Sequence, residues 1–299
     1  MRQLTFRSRQ GLPRFAFHAK AFVALAATVL QPAAWAMDDP IAPPPGLYFI
    51  GYAANYRIEG FKLPGSRDDV PGDNKSRASG VVGRLLWMSE QKILGADYGA
   101  EILVPVLQTS LNFGLLNFHD QRTGLSDIYV SPLILGWHSP RWDTVVGSGV
   151  WLDNGRKNVV ADPGVGYKRY DFSAGANYYW DAGRSVTTST LWRLELSGKD
   201  ADGVRRGQQL FLDWGMNKRW GPLQAGVIGY SQWQLGNDEG AGMTDRRASR
   251  HALGAQISYI WLEPKILLKA AWYREVSVKA GNFVLPKGDT LRITFAKAF

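Results

Sequence analysis

Histidine, serine and carboxylate side chains are the groups from which hydrolytic or metal chemistry would have to be assembled in this chain. It has no cysteine, which excludes thiolate nucleophiles, thiolate metal sites and disulfide scaffolds. After residue 36 the histidines are His119, His138 and His251, and they lack the paired spacing of a zinc site. His251, expected on the outward face of a strand near its outer end, would need a serine on a neighbouring strand, and no serine motif points there. The sequence therefore predicts that the protein is not an enzyme and has no cofactor or metal.

Charged residues recur instead within segments that are otherwise apolar on alternate positions. They are Arg84, Asp97, Glu101, Arg193, Glu195, Asp213, Lys269 and Arg292. If the apolar face meets lipid, these side chains point inward, because an Arg or Lys facing lipid at mid-membrane costs about 2–4 kcal/mol. They are candidates for a substrate path through a lumen, and packing of a mixed-charge interior explains each of them equally well.

Asp127 is a ninth candidate, near the outer end of the predicted fourth strand. It has two interpretations, contact with a substrate or attachment of a loop through backbone hydrogen bonds. The second is favoured, because Asp side chains commonly bind nearby backbone groups in turns.

Twelve segments with period-2 alternation would position these side chains. In Thr188–Leu196, for example, the even positions form a mainly apolar face and the odd positions include Arg193 and Glu195. Each segment is long enough for a tilted membrane strand, which needs about 9–11 residues. Their predicted limits are 46–58, 79–89, 95–107, 125–137, 143–152, 169–180, 185–197, 206–218, 222–235, 248–262, 265–278 and 289–299.

The connections between these segments alternate strictly between long and short, from the long 59–78 and short 90–94 to the long 279–288. Outer-membrane barrels have this rhythm, with an even strand count, short periplasmic turns and longer external loops. Tryptophans near segment ends on the apolar face are typical of interfacial girdles; they are Trp180, Trp192, Trp214, Trp261 and Trp272. We predict an all-β fold, a transmembrane antiparallel up-and-down β-barrel of about 12 strands; a soluble β-sandwich is the alternative.

The N-terminus has the features of an export signal. Residues 1–36 combine a basic start, a ten-residue apolar run and a final Ala34-Trp35-Ala36, so they predict a signal peptide. Residues 37–45 are expected to be an extended leader and 46–299 the barrel, in the outer membrane of a Gram-negative bacterium. The formal charge of +9 falls to +4 without the five basic residues of 1–36. Residues 37–299 contain no cluster of Lys and Arg of the kind that binds nucleic acid, so nucleic-acid binding is not expected.

Several short runs are similar to a known family. Gly124–Asp127, Ser131–His138 and Gly226–Gln234 resemble the outer-membrane family named for the meta-pathway of phenol degradation. The resemblance extends from about Gly46 to Phe299, and it implies a barrel that takes up aromatic or other hydrophobic compounds.

We therefore expect a transporter or passive channel for small hydrophobic, aromatic compounds. Its expected partners are the substrate, outer-membrane lipid and lipopolysaccharide, and the barrel-assembly machinery. The last of these is expected because the final strand ends on an aromatic residue, Phe299, and so resembles the C-terminal strands that this machinery recognises in outer-membrane proteins. Two alternatives remain open at this point, a structural or adhesive barrel with a closed lumen and an outer-membrane lipid-modifying enzyme.

Overall fold

Antiparallel β-strands make up nearly all of the molecule. The computed structural model describes residues 42–114 and 117–299, so the predicted signal peptide and residues 37–41 of the predicted leader lie outside the described residues. None of the described residues belongs to a helix that is long and apolar enough to cross a membrane. The strands in this part of the chain are β1 (Gly46–Lys62), β2 (Ser76–Ile93), β3 (Ala96–Phe113), β4 (Phe118–Leu125), β5 (Tyr129–His138), β6 (Trp142–Trp151), β7 (Arg169–Tyr179), β8 (Val186–Ser197), β9 (Gln209–Trp220), β10 (Leu223–Gln234), β11 (Ser249–Trp261), β12 (Ile266–Lys279) and β13 (Leu285–Ala298).

The strands close into a barrel with twelve positions. Each strand pairs with its neighbours in sequence, except that β4 and β5 do not pair with each other, and β1 also pairs with β13, which closes the ring. Strands β4 and β5 share the fourth position, because β3 pairs with β5 along Asp97–Leu103 and with β4 along Val106–Phe113. The predicted all-β, antiparallel, up-and-down barrel of about twelve strands is confirmed.

The predicted limits of the fourth strand and the preceding loop were wrong. The connection predicted at 108–124 contains the end of β3 and the whole of β4, whereas the predicted strand 125–137 is interrupted at 126–128. The cause is the composition of β4, in which His119, Gln121 and Thr123 alternate with other polar residues. Without an apolar face, the strand gives no period-2 hydrophobic signal. It is held by backbone pairing with β3 and by Phe118, which packs against buried apolar residues.

The outer surface is apolar around the ring. Because directly paired residues share a face of the sheet, the register shows that the even positions of β8 and the odd positions of β11 point outward. More than a third of each of the following outward side chains is exposed: Phe49, Val81, Leu85, Ile102, Val104, Val106, Val227, Leu253, Ile257, Leu291 and Ile293. An apolar belt on a closed barrel is what a transmembrane barrel requires.

Aromatic side chains border this belt on the side of the short turns. Trp87, Trp142, Trp180, Trp220 and Trp261 are each about half exposed there. Such rings lie at the level of lipid headgroups. Because outer-membrane barrels have short periplasmic turns and longer external loops, this end is the periplasmic end and the long loops are external.

Candidate functional site

The lumen has one strongly charged side, which we call the charged wall, the inner faces of β7 to β12. Arg169 Nη1 lies 3.3 Å from Glu195 Oε2, and Arg193 Nη2 lies 3.2 Å from Asp213 Oδ2. Charges that are removed from water in this way require such partners. The ionic side chains of this wall are Arg169, Asp171, Arg193, Glu195, Asp213, Arg250, Lys269 and Glu275.

Glu275 is the centre of the densest polar network in this wall. It accepts hydrogen bonds from the hydroxyls of Tyr56 at 2.6 Å and Tyr230 at 2.8 Å, and from the backbone N–H of Gly288 at 2.8 Å. Arg250 Nη1 lies 3.1 Å from the same carboxylate, and both ionic side chains are about 99% buried. One carboxylate thus connects β12 to four other strands.

The opposite side of the lumen, formed by the inner faces of β1 to β3, is mainly apolar; we call it the apolar wall. Its apolar side chains lie in three groups from the external to the periplasmic end. They are Tyr56, Ile58, Phe61, Ala78, Leu107, Leu111 and Phe113 externally, Ile50, Tyr52, Val82 and Leu103 at mid-barrel, and Leu86 and Met88 at the periplasmic end. Tyr129 and Trp151 of the adjacent β5 and β6 extend the middle group, with ring centroids 4.8 Å apart.

One ion pair interrupts the apolar wall. Nε and Nη2 of Arg84 both lie 2.6 Å from Glu101 Oε2, and Arg84 Nη1 donates to the hydroxyl of Tyr52 at 3.2 Å. The side chains of Arg84 and Glu101 are 22% and 11% exposed. The pair therefore lies between the middle and periplasmic apolar groups, where it offers a polar contact to anything that follows this wall.

Asp127 attaches an external loop to the barrel. Its carboxylate accepts hydrogen bonds from the backbone N–H groups of Gly155 at 3.0 Å and Val165 at 3.1 Å, and Arg169 Nη2 lies 3.5 Å away. Burial raises the pKa of the Asp127 carboxyl above its usual value, against the lowering effect of Arg169 and the two N–H donors. The loop passes so close that a Cβ on Gly155 would lie 2.7 Å from Asp127 Oδ1, so glycine is required there.

The same loop, residues 152–168, covers part of the external opening. Ala161 is fully buried in the external apolar group, and Val160 packs against that group. Asp162 accepts hydrogen bonds from the backbone N–H groups of Asn158 and Val159. The loop is thus both tied to the charged wall and packed on the apolar wall.

At the periplasmic end of the lumen lies a cavity of about 570 Å³. His138 lies between two carboxylates, with Nε2 3.2 Å from Asp97 and Nδ1 2.9 Å from Asp143. Asp143 also accepts a hydrogen bond from the Tyr179 hydroxyl. The cavity is lined by Ala42, Pro44, Pro45, Glu90, Lys92, Asp97, His138, Asp143, Tyr179, Arg184 and Arg219.

The structure places the nine residues singled out from the sequence in five locations. Arg84 and Glu101 pair on the apolar wall, Asp97 lines the periplasmic cavity, and Asp127 attaches the external loop. On the charged wall lie Arg193, Glu195, Asp213 and Lys269. Arg292 of β13 is buried at the junction of the two walls, with its guanidinium 6.0 Å from the rings of Tyr52 and Tyr273.

Sequence reasoning missed five ionic residues that matter for these networks. They are Asp143, Arg169, Asp171, Arg250 and Glu275. The alternation of their own strands contained the signal, because Glu275 is three residues from the outward Trp272 and Arg250 is adjacent to the outward His251. Extending the inward parity along the whole of each strand would have found all five.

The sequence showed no serine motif that points to His251, but a serine does lie beside it. Ser231 of β10 is directly opposite His251 of β11, and its hydroxyl lies 3.0 Å from His251 Nδ1 on the outer surface. Ser231 is not part of a recognisable nucleophile motif, so only the strand register reveals the pair. The ring of Trp233 lies 5.5 Å from the imidazole.

Comparisons with known proteins agree with this architecture. A family model described as "Putative MetA-pathway of phenol degradation" matches residues 61–295. An outer membrane channel from Pseudomonas putida F1 is similar with a TM-score of 0.77 and 14% identity, over 88% of this chain and 99% of that one. For the β domain of the Bordetella autotransporter BrkA the values are 0.52, 13%, 85% and 100%. The toluene transporter TodX of Pseudomonas putida reaches 0.46 at 8% identity, over 93% and 92% of the two chains, which is too low to carry an argument.

No curated protein matches the sequence. At these identities the solved structures show a shared fold. The closed ring, its apolar belt and the family match together confirm the outer-membrane location that the sequence predicts.

Proposed function

This chain belongs to the family described as putative MetA-pathway of phenol degradation, and from that premise we propose that it is a passive outer-membrane channel for small hydrophobic, aromatic compounds. The Pseudomonas putida protein among its structural relatives is an outer membrane channel by its name. The proposal is supported mainly by the lumen itself.

The observation that carries it is the apolar wall. Its three groups of apolar side chains follow one another from the external loops to the periplasmic cavity. A ring that moves along this wall keeps apolar contact, which is worth roughly 25 cal/mol per Å² of apolar surface removed from water. The charged wall has only a smaller apolar cluster among its ionic residues, formed by Ile228, Tyr230, Ala252, Ala271 and Tyr273. A lumen that served only to fill the barrel would have no need for an apolar side that continues from one end to the other.

Within this proposal the nine residues have different roles. Arg84 and Glu101 form a polar gate that a compound must pass, and Asp127 sets how far loop 152–168 closes the entrance. Asp97 lies in the exit cavity. The ionic residues of the charged wall, together with Arg292, are largely buried and fix the cross-section of the barrel; they are Arg193, Glu195, Asp213 and Lys269.

Liposomes that contain the purified barrel provide the test. We expect entry of phenol and toluene to be faster than in protein-free liposomes, and entry of a sugar of similar size to be much less accelerated. Equal acceleration of the sugar would indicate a general pore, and no acceleration of either compound would indicate a structural or adhesive barrel with a closed lumen.

A second function is favoured by one specific observation, the Ser231–His251 pair on the lipid-facing surface. A serine hydroxyl 3.0 Å from an imidazole nitrogen has the spacing of a nucleophile and its base, so lipid ester hydrolysis is the alternative. A fluorophosphonate probe would label Ser231 in that case, and the label would be absent from Ser231→Ala. Failure to label the native barrel would exclude the hydrolase.

A further inference from the structure

Two arginines face each other at the external edge of the lipid-facing surface. Arg57 of β1 and Arg77 of β2 are directly opposite in the strand register, and both are exposed. They point outward, because the flanking Tyr56, Ile58 and Ala78 are buried in the lumen. Like charges directly opposite each other destabilise a sheet, so their position calls for a compensating charge.

The described residues supply little of that compensation. Asp289 of β13 is opposite both Arg57 and Arg274 in register, but its ion pair is with Arg274, at 3.9 Å. Glu59 lies 3.8 Å from Arg274 as well. In the part of the chain that the structure describes, neither Arg57 nor Arg77 has a carboxylate within 4 Å.

Other cations lie on the same edge of the barrel. We call this set the basic rim; on the outward faces of β12, β13, β1 and β2 it comprises Arg274, Lys279, Lys287, Arg57 and Arg77. The two carboxylates among them, Glu59 and Asp289, leave an excess of positive charge. At the opposite, periplasmic end the same four strands present mainly apolar residues, with Leu47, Trp87, Leu268 and Phe295 all exposed.

The height of the rim relative to the apolar belt identifies what it meets. On β2 and β13, Val81 and Leu291 are the last apolar outward residues below it, at 57% and 50% exposure. Asn55 donates to Ser79 at 2.8 Å at the next level. Arg77 is four residues beyond Val81, about 13 Å along a strand, which is less in height because membrane strands are tilted. The guanidinium groups therefore lie at the level of headgroup phosphates, not of acyl chains.

We infer that the basic rim is a binding site for the phosphate groups of an outer-leaflet glycolipid of the lipopolysaccharide type. Arginine is suited to this ligand, because its planar guanidinium binds phosphate oxygens through two parallel hydrogen bonds. A phosphate between Arg57 and Arg77 neutralises their repulsion, and its acyl chains lie on Val81 and Leu291 directly below. The inference rests on the proposed outer-membrane orientation, and it does not depend on transport.

Binding of diphosphorylated lipid A to the detergent-purified barrel tests it, with bound lipid counted by native mass spectrometry. Arg57→Gln with Arg77→Gln is expected to weaken binding about thirtyfold, since each basic side chain at an anionic membrane surface contributes roughly a fivefold gain. The matched control is Arg141→Gln with Lys265→Gln, which removes two charges from periplasmic turns and should leave binding unchanged. Gel mobility before and after heating verifies that both variants are folded.

The ligand series separates the possible sources of phosphate. We expect dephosphorylated lipid A and inorganic phosphate to bind far more weakly than diphosphorylated lipid A. Equal binding of dephosphorylated lipid A, equal binding by the rim variant, or equal loss in the periplasmic control would each overturn the inference. Phenol entry into liposomes, measured with the same rim variant, is expected to be unchanged, so failure of the lipid site and failure of the channel are distinguishable.

Discussion

The two walls of the lumen differ in what their residues do for the molecule. On the charged wall, ionic side chains pair with one another; Glu275 alone receives three hydrogen bonds and one arginine. On the apolar wall, side chains such as Leu103 and Val82 contact other apolar groups, and one ion pair, Arg84–Glu101, interrupts them. The contrast separates two tasks that most protein interiors combine.

Buried ionic networks constrain geometry, because removing one partner leaves the other charge unpaired. Apolar surfaces are more tolerant of exchange and can be contacted by any apolar molecule. The charged wall is thus suited to fix the barrel, and the apolar wall to contact a passing compound. Variants that act on one wall and not the other test this division.

The largest effect is expected on the charged wall, from Glu275→Ala. Arg250 would be left buried without its carboxylate, and removal of one partner of a buried ion pair costs about 3–5 kcal/mol. We expect a clear decrease in the guanidinium midpoint, followed by loss of heat-modifiable gel mobility. Glu239→Ala is the control, because the Arg205–Glu239 pair is long at 3.7 Å and exposed. An equal change of the guanidinium midpoint in both variants would show that the network around Glu275 stabilises the barrel no more than an exposed ion pair does.

The second test makes the same substitution on each wall. Leu103 faces the lumen from β3, and Leu191 faces it from β8, opposite Asp213 in register. We expect Leu103→Asn to slow phenol entry into liposomes several-fold, and Leu191→Asn to leave it near the wild-type rate, since only the first adds an amide to the apolar wall. If both variants slow entry equally, compounds do not follow one wall.

The third test removes the exception on the apolar wall. Replacing both Arg84 and Glu101 with Met exchanges an ion pair for apolar side chains, which is often neutral for stability, whereas Glu101→Met alone leaves Arg84 without its carboxylate. We expect the double variant to admit toluene faster than the wild type with a nearly unchanged guanidinium midpoint. Slower entry would show that the pair guides the compound and does not restrict it.

The sequence predicted most of the fold because a membrane barrel repeats one simple pattern. Alternation at positions such as Thr188–Leu196 and the rhythm of loop lengths were sufficient for the closed ring. They failed at β4, where the strand rises beyond the lipid and no longer needs an apolar face. A strand with neither face against lipid has no reason to alternate apolar and polar residues, so its sequence shows no period-2 pattern.

The candidate site was harder to predict, because alternation tells which side chains enter the lumen and not which of them meet. That Arg193 pairs with Asp213 depends on the register between β8 and β9. The division into two walls likewise depends on closure of the ring, which brings the apolar β1–β3 to face the ionic strands. The serine opposite His251 was missed for the same reason.

The smallest effects concern two aspartates that make the same hydrogen bonds in different surroundings. Asp127 and Asp181 each accept two backbone N–H bonds, from Gly155 and Val165 and from Ser185 and Val186 respectively. In the solvent-exposed periplasmic turn, the N–H donors lower the pKa of Asp181. For Asp127 burial dominates and raises the pKa. Only one of the two carboxylates is therefore favoured in its ionised form by folding.

The pH dependence of stability should have opposite signs at these two sites. A lowered pKa gives stability that is present above the unfolded value of about 3.9 and is lost as the pH falls through the folded value. A raised pKa gives stability that is present below about 3.9 and is lost as the pH rises through the folded value. Between low and neutral pH, the guanidinium midpoint of Asp181→Asn should therefore fall relative to wild type, and that of Asp127→Asn should rise relative to wild type. Parallel slopes for the two variants would mean that burial against the charged wall does not govern how Asp127 holds the external loop.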